Sequence, residues 1–124
     1  MSKVIYTKDA PEAIGPYSQA ICTGNLVFTS GQIPINPATG AVEAATIEEQ
    51  TEQVCKNIDA VLKAAGTSLD KVVKTVCFLS DMNDFAAFNG VYSKYFTGKP
   101  ARSCVAVKTL PKNVLVEVDT IAEV

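Results

Sequence analysis

Residues 100–121 read PARSCVAVKTLPKNVLVEVDTI, and the pairing of this stretch decides how the rest of the chain is arranged. Valine-rich runs stand on both sides of the tetrapeptide LPKN at 110–113. Proline and asparagine favour turns, because proline presets one backbone dihedral and asparagine tolerates left-handed conformations. Two β-prone runs around such a turn predict an antiparallel β-hairpin.

The predicted hairpin carries two charged side chains, Arg102 and Glu117, among apolar neighbours. Side chains alternate between the two faces of a strand, so pairing of Thr109 with Val114 would place both charges on the same face. Charged groups are rarely buried without a partner or a task. Two interpretations therefore stay open for this pair, a structural salt bridge and a functional site.

The composition is that of an ordinary globular protein, with 124 residues, 48% of them hydrophobic and 19% charged. The formal net charge of −2 argues against a nucleic-acid-binding or polybasic membrane surface. No apolar run approaches the ~20 residues of a membrane span, and the N-terminal residues lack a signal-peptide pattern. We expect one domain over residues 1–124, in the cytoplasm, with no membrane or nucleic-acid partner.

Four cysteines and the absence of histidine limit the available chemistry. No pair of cysteines has the C-x-x-C spacing of zinc or thioredoxin-like sites, and a reducing cytoplasm argues against disulfides. Cys55 and Cys77 fall within apolar patterns and are expected in the core. Without histidine, acid–base chemistry must use carboxylates, tyrosine, lysine, cysteine, the backbone or water. No metal or cofactor is expected.

Hydrophobic periodicity predicts elements in the order β-ββ-α-β-α-ββ. Residues Thr46–Ala65 form the first predicted helix, which opens with the capping-box pattern of Thr46 and Glu49. Asp84–Phe96 form the second predicted helix. We interpret its aromatic stripe as core, and the stripe consists of Phe85, Phe88, Tyr92 and Tyr95/Phe96. Two helices can pack on one face of a six-stranded mixed sheet in an α+β fold. The strands before the hairpin are predicted at 3–7, 19–23, 26–30 and 71–80.

Three local features call for an explanation beyond secondary structure. Tyr17 comes just after a proline- and glycine-rich loop that fixes an irregular path. Gly31 directly follows a strand, which indicates either a plain tight turn or a close approach of the backbone to another group. Asn89 precedes a glycine in mid-helix, where glycine costs ~1 kcal/mol against alanine, so close packing or a polar task for Asn89 is indicated.

The face of the sheet opposite the helices is also predicted to be apolar. The strand that ends at Leu79 carries apolar side chains on both faces in its second half, and so does the hairpin. Something must cover this second face, and another copy of the chain is the simplest candidate.

Three stretches, AIGPYSQA at 13–20, SGQIPINP at 30–37 and PARS at 100–103, together with LPK at 110–112 and VE at 116–117, resemble the RidA (YjgF) family. The resemblance covers almost the whole chain. It implies a chorismate-mutase-like fold, a homotrimer with sites between subunits, and 2-iminobutanoate/2-iminopropanoate deaminase activity. Such enzymes hydrolyse the enamine and imine products of pyridoxal-phosphate dehydratases to 2-keto acids and ammonia.

The resemblance also implies which residues form the site. Arg102 matches the arginine that binds the substrate carboxylate, and Glu117 matches the carboxylate that positions or activates water. The substrate-binding positions that it implies are Tyr17, Ser30, Gly31, Asn89, Arg102 and Cys104. The chain departs from the family pattern at Lys99, where many members have an aromatic residue and a slightly longer loop, which bears on substrate preference. It departs conservatively at Val118-Asp119.

Other classes of function remain open at this point. A binding or regulatory module could use the same cleft for 2-keto acids without turnover. A translation-inhibiting ribonuclease, a label attached to some family members, is weakened by the acidic balance and the missing histidine. A chorismate mutase would share only the fold, which does not give function. Cys104 as a nucleophile would lack a histidine to activate it.

Overall fold

A computed structural model describes residues 1–124. It contains the predicted order of elements, and the α+β class with a six-stranded mixed sheet and two helices is confirmed. The elements are β1 Ser2–Ile5, β2 Ala20–Thr23, β3 Leu26–Thr29, α1 Ile47–Ala64, β4 Val72–Leu79, α2 Phe85–Tyr95, β5 Ala101–Ala106 and β6 Val116–Glu123.

The first helix begins where its capping box predicts. The Glu49 backbone N–H donates to Thr46 Oγ1 at 3.2 Å, and the Thr46 N–H donates to Glu49 Oε1 at 3.3 Å. Both groups would otherwise be unsatisfied donors of a helix terminus. The helix ends before Gly66, whose φ of 83° is a left-handed conformation that suits glycine.

The strands are ordered β1-β2-β3-β6-β4-β5 across the sheet. Only β4 and β5 are parallel, and all other neighbours are antiparallel. Parallel neighbours need a long crossover connection, and α2 supplies it between β4 and β5. The strand β5 is therefore an edge of the sheet.

The predicted hairpin of residues 100–121 is wrong. The strands β5 and β6 do not pair, because β4 lies between them. A turn does form at Pro111–Asn113, where Lys112 and Asn113 have φ of 56° and 55°. The segment before the turn continues along β4, since the Val107 N–H donates to the Leu79 carbonyl at 2.9 Å. The turn therefore connects strands on opposite sides of β4 instead of folding one strand onto the next.

The core lies between the two helices and one face of the sheet. A cluster of 19 buried residues draws on both helices and on every strand except β5. Cys55 and Cys77 are fully buried in it, as expected. Phe88, Tyr92 and Phe96 of the aromatic stripe are also buried there, which confirms their interpretation as core.

The opposite face of the sheet is uncovered in this chain over much of its area. Val4 is 62% exposed, Phe28 39% and Val105 47%. Val76, Phe78 and Ile121 on the same face are half-buried. These six side chains give the face the apolar area that was predicted, and exposed apolar area of this kind marks an interaction surface. Neither helix combines the length and the apolar composition that a membrane-spanning helix requires.

Candidate functional site

Four of the residues implied by the family resemblance meet in one cleft on the uncovered side of the sheet. Tyr17, Ser30, Gly31 and Glu117 line it together with Ile14, Ile33 and Pro111. The cleft has a volume of about 370 Å³. One wall is apolar and the other presents a hydroxyl, backbone and a carboxylate, which is the usual make-up of a small-molecule site.

The backbone at Gly31 lies directly against the Glu117 carboxylate. A Cβ atom placed on Gly31 would stand 2.0 Å from Glu117 Oε2 and 2.8 Å from its Cδ. Two backbone hydrogen bonds between Gln32 and Val118, of 2.8 and 3.1 Å, hold the two segments together. Of the two interpretations of Gly31, the close approach is therefore correct.

We expect Gly31→Ala to displace the Glu117 carboxylate and to lower any activity that depends on its position by roughly 10-fold or more. The melting temperature should fall only slightly, because the group that must move is the end of a flexible side chain. Steady-state kinetics and thermal melting of the same preparation check this. Equal activity in the variant and the parent would show that the position of the carboxylate is unimportant.

Buried amides of α1 fix the two segments that carry the cleft. Asn57 Nδ2 donates to the carbonyls of Ile33 and Ile35 at 3.1 and 2.9 Å. Gln50 Oε1 accepts from the Leu115 N–H at 2.8 Å, two residues before Glu117. These amides were not predicted from the sequence as part of the site. The sequence could have indicated a role for Gln50 and Asn57, because both are polar residues within the apolar stripe of α1.

The Tyr17 loop is anchored beside Ser30. Ser30 Oγ donates to the Ser18 carbonyl at 2.6 Å, and Tyr17 Oη accepts from the Ile14 N–H at 3.2 Å. Buried Gln19 donates to the carbonyls of Thr7 and Pro11, each at 2.9 Å. The same Gln19 side chain accepts from the Thr7 N–H at 2.8 Å. This bond takes Thr7 out of β1, which therefore ends at Ile5, earlier than predicted.

The Glu117 carboxylate is half-buried and has no counter-charge within the chain. The only salt bridge joins Lys63 to Asp59 on α1. Burial, and then the neighbouring Asp119 carboxylate, raises the pKa of Glu117 above its ordinary value. A carboxyl with a raised pKa is a stronger base when ionised, which suits proton transfer near neutral pH.

Arg102 belongs to a second cluster, on the face of the sheet that the helices cover. Its Nη1 donates to Asn89 Oδ1 at 2.7 Å, so Asn89 has the polar task that its mid-helix position suggested. Its Cζ lies 5.4 Å from the ring centroid of Phe85 and 4.9 Å from that of Tyr92. The interpretation of Arg102 and Glu117 as an intrachain salt bridge is therefore wrong.

Cys104 lies two residues beyond Arg102 on β5 and is paired in register with Cys77 of β4. Burial raises the pKa of the Cys104 thiol, and the Arg102 charge opposes this only in part. All four cysteines are free. A thiol with a raised pKa and no neighbouring base is a poor nucleophile, because the thiolate is the reactive form.

Arg102 and Glu117 cannot face one another within one chain. Arg102 is in register with Thr75 of β4, whose side chain is buried under the helices. Glu117 is in register with Phe78, on the uncovered face. The residues are also separated by three positions along the strands and by two strand spacings, roughly 10 Å in each direction. The placement on one face that the hairpin would have given is wrong, because Arg102 and Glu117 align with β4 residues three positions apart. Side chains an odd number of positions apart point to opposite faces of a sheet.

The fold and the cleft define a small α+β protein with an apolar-walled, carboxylate-bearing site beside a sheet face that is free for contact. Residues 7–124 match the family model described as Endoribonuclease L-PSP. The chain belongs to this family, which is the RidA/YjgF family.

Named relatives resemble the chain over almost its whole length. It is 48% identical to the 2-iminobutanoate/2-iminopropanoate deaminase of Escherichia coli K12, over 98% of each sequence. A Lactococcus lactis protein that carries the regulator name AldR is 54% identical, again over 98% of each. The crystal structure of E. coli TdcF with bound serine has a TM-score of 0.94, with 44% identity and 98% of each chain covered.

Proposed function

We propose that this protein hydrolyses 2-imino acids, such as 2-iminobutanoate and 2-iminopropanoate, to 2-keto acids and ammonia. The observation that carries the proposal is the half-buried Glu117 carboxylate, held against Gly31 without an intrachain counter-charge. The family and the relative named as a deaminase support the same reaction. The apolar wall of Ile14, Ile33 and Pro111 suits the short aliphatic side chains of these substrates.

Arg102 would bind the substrate carboxylate. Guanidinium is planar and permanently charged, and it can donate two parallel hydrogen bonds to a carboxylate. The electrophilic C=N carbon is bonded directly to that carboxylate, so fixing one group also fixes the other. Arg102 makes no bond to a carboxylate in this chain, which leaves its charge for a ligand.

Glu117 would handle the water. The ionised carboxylate accepts a proton from water as its oxygen attacks the protonated C=N carbon, which forms a carbinolamine. The protonated Glu117 then gives its proton to the carbinolamine nitrogen and is ionised again. It takes the hydroxyl proton as the C=O bond forms and the C–N bond breaks, and the 2-keto acid and ammonia leave. Glu117 returns to its ionised form by giving this last proton to the released ammonia. The chain's own residues supply every proton transfer in this scheme, without histidine.

A complete site then requires a second copy of the chain, because Arg102 and Glu117 lie on opposite faces of one sheet. We propose a homotrimer with chorismate-mutase-like packing, in which Glu117, Tyr17, Ser30 and Gly31 of one subunit meet Arg102, Asn89 and Cys104 of the next. The uncovered apolar face and the unpaired edge strand β5 support this arrangement.

Sedimentation is expected to give the mass of three chains. Val105→Lys, which puts a charge on the exposed apolar face, should shift the protein towards monomer and remove activity while leaving the helical circular dichroism in place. Glu48→Lys, on the exposed face of α1, is the matched control and should remain trimeric. A wild-type protein that stays monomeric at micromolar concentration would exclude the intersubunit site.

The test of function is release of ammonia and 2-keto acid from freshly generated 2-iminopropanoate, with and without the protein. Acceleration above the rate in water is the expected result. Binding of pyruvate without any acceleration would instead favour the second candidate, a non-catalytic carboxylate-binding or regulatory module. The regulator name of the L. lactis relative and the serine bound to TdcF favour keeping this candidate. Cleavage of RNA by the purified protein would support the ribonuclease alternative.

The acid limb of the activity should lie at a higher pH than an ordinary glutamate would give, because the pKa of Glu117 is raised and the base must be ionised. Asp119→Asn removes the like charge and should move this limb to lower pH. The pKa of Asp119 is itself raised by burial, with Lys74 opposing. Rate profiles of both proteins on one substrate check this, and coincident limbs would contradict it.

The raised pKa values of Glu117 and Asp119 also predict how the stability of the fold depends on pH. Each carboxyl binds its proton more tightly in the folded than in the unfolded chain, so it stabilises the fold at acid pH. That contribution is lost as the pH rises through the folded pKa. Asp119→Asn should therefore flatten the decrease of melting temperature with rising pH in this range.

A further inference from the structure

One face of α2 holds the Arg102 guanidinium. Phe85, Asn89 and Tyr92 follow one another at helical spacing and all contact Arg102. The Tyr92 ring is fixed in turn, because its hydroxyl is hydrogen-bonded to Thr75 Oγ1 at 2.8 Å in the buried interior. Thr75 is the β4 residue in register with Arg102, so the ring is anchored directly beside the side chain that it supports.

Every group that holds Arg102 is uncharged. The amide of Asn89 accepts one hydrogen bond, and the faces of the two aromatic rings attract the cation through their quadrupoles. An aromatic face takes none of the N–H donors that a carboxylate would use. A carboxylate in their place would fix the side chain equally well, but it would also cancel the charge and compete with an anionic ligand.

We propose that Phe85 and Tyr92 are positioning residues that hold the Arg102 charge without neutralising it, so that the affinity for a single ligand carboxylate depends on them. The inference rests on the proposed function in that the ligand carboxylate is taken to bind Arg102. It adds two residues that the family resemblance did not assign, and it gives the aromatic stripe of α2 a second role besides packing.

The first experiment measures the dissociation constant of pyruvate by calorimetry. Phe85→Leu keeps an apolar side chain of similar size but removes the ring, and we expect pyruvate to bind on the order of 10-fold more weakly. Phe85→Tyr restores a ring and should recover most of the affinity. Tyr95→Leu is the matched control, because Tyr95 is an aromatic residue of the same helix that contacts Glu52 instead of Arg102.

The second experiment installs the missing carboxylate. Asn89→Asp places a negative charge at the position that now accepts from Arg102 Nη1. We expect the melting temperature to stay level or rise through the new ion pair, while pyruvate binds roughly 10-fold or more weakly. Purely structural contacts would not separate stability from affinity in this way.

Unchanged pyruvate affinity in both Phe85→Leu and Asn89→Asp would overturn the inference, as would equal losses in Phe85→Leu and Tyr95→Leu. Imine turnover is read separately. If the protein shows the expected binding pattern but does not accelerate imine hydrolysis, the proposed enzymatic function is wrong and the inference about Phe85 and Tyr92 stands. A wild-type protein that binds no pyruvate overturns the inference, and imine turnover then decides the proposed function by itself.

Discussion

Arg102→Ala is expected to lower kcat/KM for 2-iminopropanoate by roughly 10²- to 10⁴-fold, because two charge-assisted hydrogen bonds to the substrate carboxylate are together worth about 3–6 kcal/mol. The fold should survive, since Arg102 has no intrachain ion pair and its side chain donates a hydrogen bond only to Asn89. Arg102→Lys should be nearly as inactive, because an ammonium group cannot present the planar pair of donors. Kinetics and thermal melting on the same samples decide this.

Lys108→Ala is the matched control for this experiment. Lys108 is an exposed cation on the connection after β5, so its removal changes the net charge by the same amount without touching either cluster. Loss of stability in Arg102→Ala that matches its loss of activity would make Arg102 a structural residue. Substantial activity in Arg102→Lys would contradict bidentate binding of the carboxylate.

Glu117→Gln is expected to slow imine hydrolysis by roughly 10²-fold or more, the usual effect of losing a general base. Pyruvate should still bind, because Arg102 is intact. Binding should even tighten, because the ligand carboxylate no longer meets a second negative charge. Glutamine preserves the shape against Gly31, so the effect isolates the charge and the proton-accepting oxygen. Calorimetry with pyruvate beside steady-state kinetics separates binding from chemistry.

Glu123→Gln, at the exposed end of the same strand, is the matched control and should retain full activity. Wild-type turnover by Glu117→Gln would mean that the backbone or another residue activates the water. Cys104→Ser tests the remaining nucleophile. If Cys104→Ser lost as much activity as Glu117→Gln, Cys104 would be the nucleophile. The raised pKa of Cys104 argues against this result.

Local sequence patterns sufficed for most of the secondary structure. The capping box placed the start of α1. The glycine after β3 left a tight turn and a close approach both open, and only the structure shows the close approach to the Glu117 carboxylate. Apolar side chains on both faces of β4 predicted that the second face of the sheet would also be apolar. The capping box and the apolar pattern of β4 each depend on residues that are near one another in sequence.

Local sequence patterns did not predict which strands pair with one another. The two runs around the 110–113 turn are equally compatible with a hairpin and with two strands that flank a third. In the structure β5 pairs in parallel with one edge of β4, to which the α2 crossover connects it. The strand β6 pairs with the other edge of β4. The choice of pairing partner for each strand depends on contacts between residues that are distant in sequence. The alternation of side chains along one strand does not predict these contacts.

The sequence by itself determined the class of fold, the two helices, the apolar second face and the residue types at the candidate site, because these follow from local periodicity and from motifs that resemble one family. Only the tertiary structure decided that Arg102 and Glu117 lie on opposite faces, and that Phe85 and Tyr92 hold the arginine. The physical reason is the insertion of β4 between β5 and β6, in a register that aligns Arg102 and Glu117 with β4 residues three positions apart and so on opposite faces. It turns one predicted charge pair into two separate clusters, each lacking the other's charge.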